Sequence, residues 1–201
     1  MNTVADAVAA QLRTLPPLPL VAKKLIAKMA EAEPSAPEIA RLIASDDALT
    51  ARLLRLVNSP FFGLQRQIAS VPEALHVIGL NAVQRLVVSA AVMHPFAALF
   101  QDPRRAQAFW RHRLRCGLTA RQILRDASAE LAFVAGLLHE IGELGMLAHF
   151  GAAYASRCFE QSLRGAARVQ AERAAFGLDH AQLGAAILSR WSLPPPVCRS
   201  E

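Results

Sequence analysis

The stretch GLLHEIGELG, residues 136–145, places a histidine and two glutamates at the end of an apolar segment. Imidazole nitrogens and carboxylate oxygens can together bind a divalent cation, and a bound cation can activate water for hydrolysis. On a continuous helix His139 and Glu143 share one face, whereas Glu140 lies about a third of a turn away. Glutamates in helices are usually solvated, however, and Gly142 and Gly145 suit close helix packing. The stretch therefore predicts either a metal or acid/base site or a packed polar helix end.

Two further histidines occupy segments with a helical period. On a helical wheel His112 shares a stripe with apolar residues, which favours either a metal ligand or a hydrogen-bonded core histidine. The stripe consists of Phe109, Cys116, Ala120 and Ile123. His180 follows Asp179, which has the position of an N-cap, and is either a ligand or a polar residue of the first helical turn. No GxSxG, P-loop or GxGxxG motif is present, and we expect no cysteine to have a histidine partner.

Seven arginines fall between residues 104 and 125 in a chain of net charge +6 and pI about 10.0. Three of them, Arg104, Arg111 and Arg115, project from a different side of the helix than the histidine stripe. Guanidinium groups bind carboxylates and phosphates, so these residues are candidates for contact with an acidic partner or an anion such as a nucleotide phosphate. The alternative is a solvated helix face. We do not expect nucleic acid as a partner, because few aromatic residues interleave with the arginines and no helix-turn-helix signature is evident.

The elements that position these residues are predicted to be helices. Apolar residues recur at helical spacing almost throughout, and Ser35, Ser70 and Asp179 each begin a capping-box pattern. Only RLVVSAAVM, residues 85–93, has adjacent valines typical of a strand, and its alanines and the lack of a partner strand favour a helix. We predict an all-α chain of about ten helices with no significant sheet, near residues 18–32, 36–44, 46–57, 71–78, 80–93, 104–126, 130–148, 150–163, 166–176 and 180–191.

The composition predicts a cytoplasmic protein with a sizeable core. Hydrophobic residues make up 53% of the 201 residues, which disfavours disorder. We expect no apolar stretch to reach the roughly 20 residues that span a bilayer, and the N-terminal stretch lacks the pattern of a signal peptide. Cys116, Cys158 and Cys198 lie far apart, which argues against a disulfide framework or a zinc ribbon. We therefore predict a reducing cytoplasmic location without membrane contact.

Four stretches carry a resemblance to a known family: LVNSPFFG (56–63), IASVPEALHVIGL (68–80), FVAGLLHEIGELGM (133–146) and GLDHAQLGAAILSRWSLP (177–194). In content and order they resemble the HDOD domain, a helical output or regulatory domain of bacterial signalling proteins that is related to HD-type metal-dependent phosphohydrolases. The resemblance runs from about Leu15 to Pro194. It implies a single HD-like multi-helix bundle over residues 1–201, with an N-terminal helical half (1–95) and an HD-like half (96–201).

Active HD hydrolases bind metal through a helix histidine, a His-Asp doublet, a later histidine and a final aspartate. By position, His112 resembles the first histidine, His139 and Glu140 the doublet, and His180 the later histidine. The extra methylene of Glu140 moves its carboxylate by roughly 1 Å, beyond the ~0.5 Å within which productive geometry must be held. The resemblance also implies a lysine in place of Glu143 and further helices beyond LPPPVCRSE, and no final aspartate is assignable within residues 1–201. Whether the end at Glu201 is natural or a truncation stays open. The four positions resemble a degenerate HD motif.

The resemblance implies a non-catalytic regulatory or signal-transduction module, with no catalytic residue and no required cofactor. Its partners would be signalling proteins or a small nucleotide-like ligand. The alternative is a metal-dependent phosphohydrolase acting on a nucleotide or cyclic dinucleotide, with the metal held by His112, His139, Glu140 and His180. Any metal that binds to the non-catalytic module is expected to be structural. The sequence leaves the partner and the oligomeric state open.

Overall fold

The computed structural model describes residues 17–31, 33–100, 102–124, 128–159, 163 and 165–193, and these residues form an all-α structure without a β-strand. Ten α-helices of eight or more residues lie within them: α1 (Leu20–Lys28), α2 (Ala36–Ala44), α3 (Asp47–Val57), α4 (Val71–Ile78), α5 (Leu80–Met93), α6 (Pro103–Ile123), α7 (Ala129–Leu138), α8 (Ile141–Phe150), α9 (Gly165–Phe176) and α10 (His180–Arg190). Short helical turns follow α3 and α5, at Pro60–Phe62 and His94–Leu99. The prediction of an all-α chain is confirmed.

Hydrogen-bonding side chains determine where several helices begin. Before α10, the Asp179 carboxylate accepts a 2.8 Å bond from the Gln182 N–H, and the Gln182 side chain accepts a 3.2 Å bond from the Asp179 N–H. This reciprocal pair is the predicted capping box. The capping box predicted at Ser35 is wrong, because its side chain makes no cap bond within the described residues, and the Glu38 carboxylate forms an ion pair with Lys28 at 2.9 Å.

One continuous apolar core connects the first helices to those that carry the histidines. Helix α5 lies at its centre and contacts α1, α3, α4 and α7. Val83, Val87, Val88 and Ala91 are buried on this helix. These residues recur at the three- and four-residue spacing of a helix, so residues 85–93 form a helix as predicted.

Two apolar segments are long enough to cross a bilayer by length and composition alone, Leu80–Leu99 and Ala129–Phe150. Their apolar windows are 44% and 67% buried inside the domain. The first changes at His94 from an α-helix to a tighter turn, and the second is interrupted between Leu138 and Ile141. The expectation that no apolar stretch reaches this length is therefore wrong, but both segments contribute residues to the core.

The predicted continuous helix over residues 130–148 is also wrong, because the backbone leaves the helical conformation at Glu140. This residue has φ −119° and ψ 33°, between the end of α7 and the start of α8. A Cβ atom added to Gly142 would overlap the His180 carbonyl oxygen, so α8 packs directly on α10. Because of the break, α7 packs along α6 while α8 packs along α10. As a result, His139 and Glu143 do not share a helix face.

The helix predicted near residues 150–163 is replaced by shorter elements. Gly151 has φ 52° and ψ −127°, a backbone conformation that favours glycine, and it ends α8. A single turn, Ala152–Tyr154, then continues into the π-helical segment Ala155–Phe159. The remainder of the predicted helix, residues 160–162, lies outside the described residues, as do the predicted helix ends at residues 32 and 126.

Candidate functional site

Helices α6 and α7 cross at two glycines, and this crossing positions the histidines. A Cβ atom on Gly136 would lie 2.7 Å from the Cα of Gly117. A side chain at either position would force the helices apart, so glycine is required for the close approach. Cys116 directly precedes the crossing on α6, and His139 follows it by three residues on α7. The crossing therefore brings residues of both helices to one side of the domain.

His112, Cys116 and His139 converge at this crossing. Their potential ligand atoms all lie within 4.8 Å of one another. The Cys116 Sγ is 3.7 Å from the His112 Nε2, and the two imidazole ring centroids are 5.9 Å apart. The His112 side chain is 59% exposed, so the expectation of a core histidine is wrong. The expectation that no cysteine has a histidine partner is wrong as well, because His112 and Cys116 lie one helical turn apart on α6.

The Glu140 carboxylate borders this cluster and is shared with an arginine. Its Oε2 lies 3.5 Å from the His139 Nε2 and 3.9 Å from the His112 Nε2. The same oxygen is 3.3 Å from the Nη2 of Arg113. A positive charge therefore already faces the carboxylate that the HD resemblance assigns to a metal.

Arg113 and Glu143 form a buried ion pair behind Glu140. Their side chains are 2% and 3% exposed, and the Arg113 Nη2 donates a 2.8 Å bond to the Glu143 Oε2. The same nitrogen donates a 3.2 Å bond to the Glu140 carbonyl oxygen, and the guanidinium carbon lies 3.2 Å from the Phe109 ring centroid. Burial lowers the pKa of Arg113, while the carboxylates of Glu143 and Glu140 act in the opposite direction. Glu143 is thus an interior residue that compensates a buried cation.

Arg168 extends this arrangement from Glu143 towards α10. It forms an ion pair with Glu143, and its Nε donates a 3.2 Å bond to the Glu172 Oε1. The Tyr154 hydroxyl donates a 2.8 Å bond to that carboxylate oxygen and accepts a 2.9 Å bond from the Arg168 Nη2. Burial acts to lower the pKa of Arg168, but the neighbouring carboxylates and the tyrosine oxygen outweigh it and raise the pKa. Arg168 therefore stays charged in the interior.

His180 ends the arrangement and is held by Glu172. The Glu172 Oε2 lies 2.5 Å from the His180 Nδ1 and accepts a 2.9 Å bond from the His180 backbone N–H. Burial acts to lower the pKa of His180, but the hydrogen bond and charge of Glu172 outweigh it and raise the pKa. Burial acts to raise the pKa of Glu172, but the bonds from His180 and Tyr154 outweigh it and lower the pKa. Within the described residues, the converging donor cluster thus includes His112 and His139 but not His180.

We refer to residues Arg113, Glu143, Arg168, Glu172 and His180 as the charge chain. Its members alternate in sign from α6 through α8 and α9 to α10. Each buried charge has an opposite neighbour, which is the condition under which such groups are tolerated in an interior. The other four members therefore connect Glu140, beside the exposed histidine cluster, to His180.

Helix α6 carries six arginines and no acidic residue. Three of them are engaged by acidic groups of the described residues: Arg105 by Asp102, Arg113 by Glu143, and Arg121 by Glu130. The other three are exposed and form no ion pair within the described residues: Arg104, Arg111 and Arg115. Their spacing of seven and four residues places them on one face of α6, as predicted.

A cavity of about 360 Å³ lies between α6 and α7 and ends at His139. Its lining is mainly apolar and includes Leu124, Leu131 and Ala135. Leu124 and the neighbouring Ile123 are exposed at the end of α6. Apolar surface therefore adjoins the histidine cluster on the side towards the end of α6.

Sequence reasoning missed Cys116 as a potential ligand, and it missed every member of the charge chain as a participant in buried charge compensation. The four-residue spacing of His112 and Cys116 was the available signal for the first. No local pattern reveals the second, because Arg113 and Glu143 are separated by 30 residues. Their pairing depends on how α8 packs after the break at Glu140.

The helical bundle and its histidine cluster define a domain of the HD-like class. Residues 15–200 match the model of the HDOD domain, and the chain therefore belongs to the HDOD domain family. Membership relates the chain to HD-type phosphohydrolases and fits a role in signalling. A curated relative, an uncharacterized protein of Treponema pallidum (strain Nichols), is 28% identical over 207 residues. The match covers 96% of this chain but 38% of the relative, so the chain spans less than half the length of that protein.

Two solved structures resemble the chain over nearly its whole length. An HDOD domain protein with unknown function from Geobacter sulfurreducens is 25% identical, with a TM-score of 0.72, and the match covers 95% of this chain and 68% of that chain. A structure named a putative signal transduction protein, from Marinobacter aquaeolei VT8, is 20% identical with a TM-score of 0.77, covering 96% and 48% of the two chains. The second likeness concerns the fold alone.

Proposed function

We propose that this chain is a non-catalytic regulatory module of a bacterial signalling pathway, which acts in the cytoplasm by binding an acidic protein surface or an anionic ligand. The observation that carries the proposal is the buried ion pair of Arg113 and Glu143 directly behind Glu140. It places a guanidinium group 3.3 Å from the carboxylate that a hydrolytic metal would require. The negative charge of Glu140 is therefore compensated by Arg113 without a metal ion.

The ligand set of an HD-type hydrolase does not fit the residues present. His180, the later histidine of that set, is hydrogen-bonded through Nδ1 to Glu172 and does not join the donor cluster of His112 and His139. Arg113 and Arg168 place two guanidinium groups on either side of Glu143. These two cations disfavour the binding of two metal ions beside Glu143, because like charges repel strongly at low dielectric. We derive no step of phosphoester hydrolysis from this arrangement.

A metal-dependent phosphohydrolase acting on a nucleotide or cyclic dinucleotide is the second candidate function. It is favoured by the approach of Glu140 to both His112 and His139, at 3.9 and 3.5 Å. The test is to incubate the purified protein with manganese, iron or zinc and a panel of nucleotides and cyclic dinucleotides. We expect no turnover above that of the metal ions alone. Turnover that His139→Ala abolishes would replace our proposal with this second candidate.

The arginine face of α6, formed by Arg104, Arg111 and Arg115, is the binding surface that we propose. The three residues span 11 positions, or about 16 Å along the helix axis. Single exposed ion pairs contribute only about 0.2–1 kcal/mol, so useful affinity requires several contacts at once. A partner that places several carboxylates or phosphates along this length satisfies that requirement.

A two-hybrid search against bacterial signalling proteins tests the binding proposal. Each partner found is retested with the triple variant R104E/R111E/R115E. The matched control is K24E/R41E/R55E, which changes the net charge equally at exposed residues of α1, α2 and α3. We expect the first variant to lose binding and the control to retain it. Partners that bind both triple variants equally well would refute the assignment of this face.

A further inference from the structure

His112, Cys116 and His139 form a donor set that differs from that of an HD hydrolase. His112 and Cys116 are one turn apart on α6, and His139 approaches them from the end of α7. The set contains a thiol, omits His180, and lies on the solvent side of the charge chain. A thiol with two imidazoles suits zinc or copper, whereas carboxylate and water ligands suit magnesium and manganese.

The donor atoms of His112, Cys116 and His139 all lie within 4.8 Å of one another, close enough to approach one tetrahedral ion with small side-chain adjustments. Zinc–sulfur bonds of about 2.3 Å and zinc–nitrogen bonds of about 2.0–2.1 Å imply donor-to-donor distances of about 3.3–3.6 Å. The Cys116 Sγ and the His112 Nε2 are already 3.7 Å apart. The Glu140 carboxylate is paired with Arg113 at 3.3 Å, so three protein ligands leave the fourth tetrahedral position to water.

The orientation of His139 is fixed in a form that suits a ligand. Its Nδ1 is 2.8 Å from the Gly136 carbonyl oxygen, which can only accept, so Nδ1 carries the proton. In the neutral imidazole the lone pair is then on Nε2, the nitrogen that faces Glu140. A backbone carbonyl in this position is the usual outer-shell partner of a metal-bound histidine.

We propose that His112, Cys116 and His139 bind one zinc ion, with a water molecule at the fourth position. Glu140 stays paired with Arg113 beside the site. Binding releases the thiol proton of Cys116 to solvent, and the thiolate offsets one of the two positive charges of the ion. The ion fastens α6, which carries the arginine face, to the turn between α7 and α8. This proposal goes beyond the binding of an acidic partner and does not depend on it.

Cobalt substitution tests the site in the whole protein. Apo-protein titrated with Co²⁺ is expected to show the visible bands of tetrahedral cobalt and a thiolate-to-cobalt charge-transfer band, both saturating at one equivalent and reversed by Zn²⁺. Cys116→Ser removes the charge-transfer band. His112→Ala, at an exposed position, weakens binding by at least the roughly 10–100-fold that loss of an outer-shell partner causes. Circular dichroism confirms that each variant is folded.

Two cysteine variants serve as matched controls. Cys158→Ala and Cys198→Ser alter the other thiols of the chain and are expected to leave the cobalt spectrum unchanged. Octahedral cobalt without a charge-transfer band in the unmodified protein would overturn the proposal. So would a charge-transfer band that persists in Cys116→Ser. Neither result depends on the R104E/R111E/R115E experiment, so the two proposals fail separately.

Discussion

Glu143→Gln is the substitution that most directly tests the account of the buried charges. The Glu143 side chain is 3% exposed and lies between the guanidinium groups of Arg113 and Arg168. Glutamine has nearly the same shape and keeps an acceptor oxygen, so the main change is the loss of one negative charge. Two buried cations then face each other without the carboxylate that compensates them.

Removing one partner of a buried ion pair costs about 3–5 kcal/mol of unfolding free energy. Because Glu143 serves two arginines, we expect a loss of about 4–5 kcal/mol, which is a large part of the roughly 5–15 kcal/mol available to a domain. For a chain of this size, each kcal/mol lowers the melting temperature by about 2–4 °C. The variant should therefore melt roughly 8–20 °C below the unmodified protein.

Denaturant unfolding followed by circular dichroism measures this loss, provided that the slope against denaturant is unchanged. The matched control is Glu140→Gln, the same substitution at a side chain that is 28% exposed and contacts Arg113 at 3.3 Å. Its partial exposure limits the expected loss to about 1 kcal/mol. If Glu143→Gln destabilises the protein no more than Glu140→Gln does, the interpretation of the charge chain is wrong.

Three further predictions concern other parts of the domain. The raised pKa of His180 means that its stabilising charge is present below the ordinary histidine pKa of about 6.5 and is lost as the pH rises through the raised value. His180→Gln should therefore remove this alkaline loss of unfolding free energy; an unchanged pH profile would contradict the assignment. Gly136→Ala should force α6 and α7 apart and cost about 1–3 kcal/mol in the same assay, whereas neutral behaviour would contradict the close crossing. Asn58→Ala should remove the 2.7 and 2.8 Å bonds to the backbone of Ile68 and speed proteolysis of the loop between them, with Asn58→Asp, which keeps only the acceptor, giving an intermediate rate.

Most of the helices could be predicted because their signals are local. Helix α5 shows its period in its own valines, and α10 shows its start in the pair of Asp179 and Gln182. The break at Glu140 had no such signal, since the segments before His139 and after Glu140 are mainly apolar and compatible with one long helix. It results from the packing of α8 on α10 at Gly142, a contact with a helix about 40 residues further along the chain.

The candidate site could be predicted only in part for the same reason. The sequence identified His112, His139 and Glu140 as a group through the family resemblance, and the structure brings these three together. It could not show that His180 is bound by Glu172, because that bond depends on the relative position of α9 and α10. Nor could it show that Cys116 faces His139, which depends on the crossing of α6 and α7.

The alternating signs of the charge chain also constrain how the family can vary. Replacement of Glu143 by lysine, the residue that the resemblance to the HDOD domain implies there, would leave adjacent like charges unless Arg113 or Arg168 changed as well. We expect homologues with lysine at this position to lack a basic residue at one or both of the arginine positions. Homologues with glutamate should retain both. The interior of this domain would then evolve by joint exchange of residues that are far apart in the sequence.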